Sequence, residues 1–187
     1  MQRIVLATAM LMMTAGGAQA AATVIGGGFA KSCYNAAEYG TSNSYVDCDR
    51  ALKEEMLGTE DRAATYVNRG ILKMRAKRGE AALADAEASL RLIPDLPETL
   101  VTRGAAYILL RRYDDALADF DKAIASDVRR VHVVYYDRAI AREALGDVKG
   151  AYYDFKKSLE IEPGFALAEE ELIRFTVTTV PKEPNGS

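Results

Sequence analysis

The chain has 187 residues, room for one small domain, and 24 Lys plus Arg against 27 Asp plus Glu give it a net charge of −3. That mild acidity excludes a general attraction to nucleic acid or to anionic lipid. One histidine and two cysteines leave little from which to build a metal centre or a nucleophilic site.

Residues 1–20 have the form of a secretory signal. Arg3 supplies a positive start, Ile4 to Met13 form an apolar run, and Ala18-Gln19-Ala20 is a small-residue cleavage site. The run falls well short of the roughly 20 residues that a membrane-spanning helix needs. Arg3 is the only charged side chain in this segment, so the chain from Ala21 onward carries a net charge of −4. No cysteine follows the run closely, which argues against a lipid-anchored export signal. The signal is of a bacterial-envelope style, and the periplasm is the expected location.

Residues 21–62 form a second region. Ala21 to Gly28 ends in three glycines and is expected to be a flexible lead-in. Phe29 to Tyr39 is a predicted helix, followed by a loop at Gly40-Thr41-Ser42-Asn43. Ser44 is the expected N-cap of a second helix reaching about Met56. Asp47 and Ala51 keep the spacing of Asp119 and Ala123 further on, so this pair reads as a degenerate copy of a later unit. Cys33 and Cys48 fall on its two helices. In an oxidising compartment they are expected to form one disulfide, worth roughly 3 kcal/mol for so short a loop. A redox pair and a metal site are the competing readings. Gly58 to Asp61 is a predicted polar break.

From residue 63 the chain repeats. Asn68-Arg69-Gly70 returns as Thr102-Arg103-Gly104 and again as Asp137-Arg138-Ala139, in steps of 34 and 35 residues. Twelve residues after each small residue stands an alanine (Ala82, Ala116, Ala151), and three later an aspartate (Asp85, Asp119, Asp154). This period predicts units at 63–96, 97–131 and 132–165, each of two helices around a turn at Lys77-Arg78-Gly79, Arg111-Arg112-Tyr113 or Gly146-Asp147-Val148. Small residues on both helices allow an approach near the lower end of the 8–10 Å range. Phe120 and Phe155 fill the space beside that contact; Ala86 stands there in the first unit, leaving more to Leu83 and Leu90. Pro94 and Pro163 end the second helices of their units. Ala166 to Phe175 is a predicted capping helix with Glu169, Glu170 and Glu171 turned to water. The rest of residues 166–187 is expected to be a disordered tail, with no strand assigned to Val177 or Val180.

The pattern resembles the tetratricopeptide repeat (TPR). The second unit carries it best, with Gly104, Tyr107, Ala116, Phe120 and Ala123 at signature positions. Lys73 and Arg142 stand where that signature has tyrosine, and Val128 replaces the closing proline. The resemblance implies an all-α fold: a short right-handed helix-hairpin solenoid of about three units, a degenerate N-terminal helix pair and a C-terminal capping helix. It also implies a non-catalytic module that binds a polypeptide along the inner face of the first helices. Carried over residue by residue, that face is Val67, Ile71, Met74, Val101, Ala105, Ile108, Tyr136, Ile140 and Glu143. The Lys/Asn/Arg set by which some members clamp a terminal carboxylate is lacking.

Arg69, Arg103 and Arg138 recur in phase with Asp47, Asp85, Asp119 and Asp154, which suggests a ladder of structural ion pairs within or between units. The alternative use of the arginines is to grip an anion. Apart from a redox role for Cys33 and Cys48, little chemistry competes with the binding role. His132 has no Ser, Asp or Cys partner set. Gly26-Gly27-Gly28-Phe29-Ala30-Lys31-Ser32 fails phosphate-loop spacing at Ile25 and Ala30, and Glu169–Glu171 and the acids of 54–61 lack calcium-loop spacing. The expectation is therefore no cofactor, no metal, no small-molecule substrate and no nucleic acid, with another protein or peptide as partner. The rival expectation is a self-associating, holdase-like envelope protein that forms a homo-oligomer.

Overall fold

A computed structural model describes residues 2–6, 21–23, 28–42, 44–126 and 128–179. Among these residues the order is β1 (Gln2–Leu6), α1 (Gly28–Tyr39), α2 (Val46–Glu54), α3 (Thr59–Arg75), α4 (Gly79–Leu92), α5 (Pro97–Leu109), α6 (Tyr113–Ile124), α7 (Val131–Ala144), α8 (Val148–Ile161), α9 (Ala166–Ile173) and β2 (Phe175–Thr179). The fold is an all-α solenoid of helix hairpins. Each hairpin packs within itself as α3 on α4, α5 on α6 and α7 on α8, and each then stacks on the next.

The small residues act as the period requires. Ala82, Ala116, Ala139 and Ala151 are fully buried. A Cβ built on Gly104 would stand 2.6 Å from the Phe120 ring, so only glycine lets α5 lie against that side chain. Gly70 has more room, its nearest neighbour being the Thr102 methyl at 3.3 Å.

The turns repeat as faithfully as the helices. Lys77, Arg111 and Gly146 share one register and all have left-handed backbone, at φ 56°, 59° and 84°. Asp95, Arg130 and Gly164 do the same between units, at φ 60°, 64° and 86°. The extra residue of the 35-residue step falls between Ala123 and Arg130, in the loop where Val128 replaces proline.

The structure departs from the sequence reading at residues 58–61, at the start of α2, after Arg174, and at residues 2–6, which that reading sets in a signal outside the fold. Gly58–Asp61 is not a break: α3 begins at Thr59, and Glu60 and Asp61 lie in its first turn, where acids suit the helix dipole. The segment after Arg174 is not wholly irregular either. Phe175–Thr179 pairs antiparallel with Gln2–Leu6, from Leu6 opposite Phe175 to Gln2 opposite Thr179, and β1 lies beside α8. Ser44 accepts the Val46 amide at 3.3 Å, but Tyr45 is the residue that precedes α2. The predicted glycine linker, Val180 and the last residues of the tail lie outside the described residues.

Apolar side chains gather in two cores. One joins α1 to α4 with Ala105 and Ala106 of α5, and it takes in Ala21 and Ala22. The other runs from α5 to α9 and ends on Phe175. No described helix is long and apolar enough to cross a membrane.

Candidate functional site

The repeated arginines and aspartates meet. Arg69 reaches Asp85 by two bonds of 3.0 and 2.7 Å, Arg103 reaches Asp119 by two of 2.7 Å, and Arg138 reaches Asp154 by two of 2.8 and 2.7 Å. Each pair joins the first helix of a unit to its own second helix, in the fork geometry that suits arginine. The ladder also runs between units. Arg69 bonds Asp49 of the preceding hairpin and Arg138 bonds Asp121, both at 2.6 Å. The rung on α2 is thus Asp49 and not the expected Asp47, because the acid that reaches across to the next unit lies two residues beyond the one that reaches within.

Two departures from the repeat signature find their reason here. Lys73 stands 2.8 Å from Asp85 and Arg142 stands 2.8 Å from Asp154. The cation that replaces tyrosine in these units gives the rung aspartate a second partner. The middle unit keeps Tyr107, over which Arg103 and Arg112 lie at 5.9 and 4.4 Å from the ring centre. Burial pulls the Arg138 guanidinium down, but its bonds to Asp154 and Asp121 outweigh that and hold its pKa above the ordinary value. Each of the three arginines is thus engaged by an aspartate of its own unit.

The inner-face residues are placed together but covered. Val67, Ile71, Met74, Val101, Ala105, Ile108, Tyr136 and Ile140 are at most 9% exposed. Val67, Ile71, Met74 and Ala105 share a core with Ala30, Cys33 and Tyr34 of α1. Tyr136 packs edge-on to Phe165 just before α9, with ring centres 5.5 Å apart. Glu143 is taken by Arg174 in two 3.0 Å bonds. Beside Tyr136, the Asp137 carboxyl is fully buried with Oδ2 unbonded, and burial pushes its pKa up to about 7.

Several residues that shape this face carry no periodic signal. Glu55 accepts the amides of Phe29 and Ala30 at 2.6 and 3.1 Å, capping α1 at its start. Arg75 donates to the carbonyls of Ala36 and Ala37 at 3.0 and 2.5 Å, capping its end. The lead-in crosses the face: Asn68 Nδ2 donates to the Ala22 carbonyl and Arg129 Nη2 to the Ala21 carbonyl, each at 2.9 Å. Beside that crossing an open cleft of about 410 Å³ remains, floored by Ala22, Thr23, Ala64, Ile93 and Leu96 and rimmed by Glu60, Glu98 and Arg129.

At the first end of the stack the Cys33 and Cys48 sulfurs lie 2.12 Å apart. His132 is a packing residue. It lies edge-on to Phe165 at 5.1 Å, its carbonyl accepts the Ser158 hydroxyl at 2.8 Å, and burial lowers its pKa. No group of His, Cys, Asp and Glu among the described residues could hold a metal ion.

No family model and no curated protein matches the chain. Solved structures do. The second TPR domain of human RPAP3, determined in complex with the HSP70 peptide SGPTIEEVD, is similar at 26% identity with a TM-score of 0.56, over 62% of this chain and 96% of that one. The Arabidopsis OM64 TPR domain is similar at 25% identity with a TM-score of 0.58, over 63% and 96%. MamA shares the fold at 18% identity with a TM-score of 0.60, over 79% and 82%.

Proposed function

We propose that this helix-hairpin solenoid is a non-catalytic interaction module of the bacterial cell envelope, working after removal of residues 1–20 and oxidation of Cys33 and Cys48. Its partner is a segment of another polypeptide. The observation that carries this reading is the open cleft at the edge of the inner face, apolar at its floor and bounded by Glu60, Glu98 and Arg129. A floor of alanine, isoleucine and leucine with charged rims suits an apolar side chain on a peptide whose flanks carry charge. The RPAP3 domain, similar in fold, holds a peptide, which supports the same use here. A surface already set by packing reduces the entropy that a partner loses on docking.

Crosslinking in the envelope, followed by mass spectrometry, tests this. Leu96→Glu and the pair Glu60→Lys, Glu98→Lys should each remove the same crosslinked polypeptide while helical circular dichroism is unchanged. An identical crosslink pattern in all three proteins would dismiss the cleft as the docking site. Self-association is the second reading, favoured by Tyr39, Val46 and Met56 standing out to solvent at one end and Ile173 at the other. Concentration-dependent sedimentation of the wild type, abolished by Met56→Glu, would support it instead.

A further inference from the structure

We propose that cleavage after Ala20 makes the new amino terminus a structural ion: the α-ammonium group of Ala21 pairs with Glu38 and latches the lead-in across the inner face. This inference rests on the proposed removal of residues 1–20 and not on where a partner docks.

Ala21 is fully buried and belongs to the first core. Its backbone nitrogen donates to Glu38 Oε2 at 3.1 Å, and its carbonyl accepts from Arg129 at 2.9 Å. The next carbonyl, that of Ala22, accepts from the buried Asn68 at 2.9 Å. Three successive backbone groups are thereby held by α1, by the α6–α7 loop and by α3. Arg129 lies 108 residues along the chain from the carbonyl that it holds, so the lead-in ties the first hairpin to the junction of the second and third units. That loop carries the residue inserted into the 35-residue step.

The cleavage site predicted from Ala18-Gln19-Ala20 ends one bond before this held nitrogen. Hydrolysis adds water across the Ala20–Ala21 peptide bond. The hydroxyl goes to the Ala20 carbonyl carbon and the proton to the Ala21 nitrogen, which takes a further proton from solvent at neutral pH. A neutral amide donor to the Glu38 carboxylate becomes a cationic one, so a bond already assisted by the charge of its acceptor gains the attraction of opposite charges. The other charged groups facing the site are Arg129 on the Ala21 carbonyl, Arg130 at 3.9 Å from Glu38 Oε1, and Arg75, which acts on Glu38 from α3. Glu38 is thus the anion among cations, and the new terminus completes its coordination.

The test uses the exported, processed protein. Intact mass should place the terminus at Ala21. Acylation of the α-amine by an amine-selective reagent should be slower in the folded than in the urea-unfolded chain by at least about tenfold, the factor to which 1.4 kcal/mol corresponds. Glu38→Gln should abolish that slowing. So should a chain with Gly-Ser placed before Ala21, which keeps every residue from Ala21 onward. A terminus elsewhere, equal rates in the folded and unfolded wild type, or continued slowing in either variant would overturn the proposal.

Discussion

The three rung aspartates occupy equivalent places but hold different numbers of cations, and stability should rank them accordingly. Asp85 faces Arg69 and Lys73, Asp154 faces Arg138 and Arg142, and among the described residues Asp119 pairs with Arg103 alone. The carboxylates are 4–5% exposed, whereas the three arginines are 13–23% exposed. Breaking a buried pair by removing one partner costs about 3–5 kcal/mol, because the other charge is left stranded. Water reaching the arginine ends reduces this, so Asp119→Asn should cost about 2–3 kcal/mol. In Asp85→Asn and Asp154→Asn two cations lose one buried carboxylate, Lys73 or Arg142 beside an arginine that keeps only the exposed Asp49 or Asp121, so the expected loss rises to about 3–5 kcal/mol. Urea unfolding followed by circular dichroism at unchanged m-value measures all three. The double variant Arg103→Met, Asp119→Leu should recover most of the loss of Asp119→Asn, since apolar replacement of both partners strands no charge. Equal losses at the three positions, or losses under about 0.5 kcal/mol as for a surface pair, would refute the graded ladder.

Other outcomes follow from single contacts. Asp137 is protonated in the folded chain up to about pH 7 but only to about pH 4 unfolded, so stability should be full below pH 4 and fall as pH rises to 7. Asp137→Asn should flatten that profile and exceed the wild type at pH 8, by about 4 kcal/mol at most, in melts taken from pH 4 to 8. Gly104→Ala drives a Cβ into the Phe120 ring and should cost about 1–3 kcal/mol, while Gly70→Ala should cost less, in the same denaturation assay. Reducing the Cys33–Cys48 link should lower stability by roughly 3 kcal/mol, with exchange of α1 amides rising before those of α7.

Much of the architecture was legible because stacked hairpins impose their spacing on the residues. The alanine and glycine contacts, the phenylalanines that fill beside them and the Arg–Asp phase all recur, and recurrence survives the reading of a single chain. Asp49 was missed because the short acid two residues beyond the rung, Asp49 or Asp121, is replaced by Glu87 in the unit at 63–96, which acts on Arg103 through its charge. Whether the inner face is open or covered was not legible, for a different reason. Position within a repeat says which way Val67 or Tyr136 points, but not that α1, Phe165 and Arg174 arrive to cover that side. Glu38, Glu55, Arg75 and Arg129 each act once, on backbone groups far along the chain, and a contact made once leaves no periodic trace.

The first hairpin of the regular stack has Ala82 and Ala86 where the later units set an alanine beside a phenylalanine, so it has the least bulk to hold it. The sulfur link lies at that same end. With both thiols reduced that end would be slack where it is thinnest, and closing the bond would tighten it, so the redox poise around the chain sets how firmly the stack is anchored at its start.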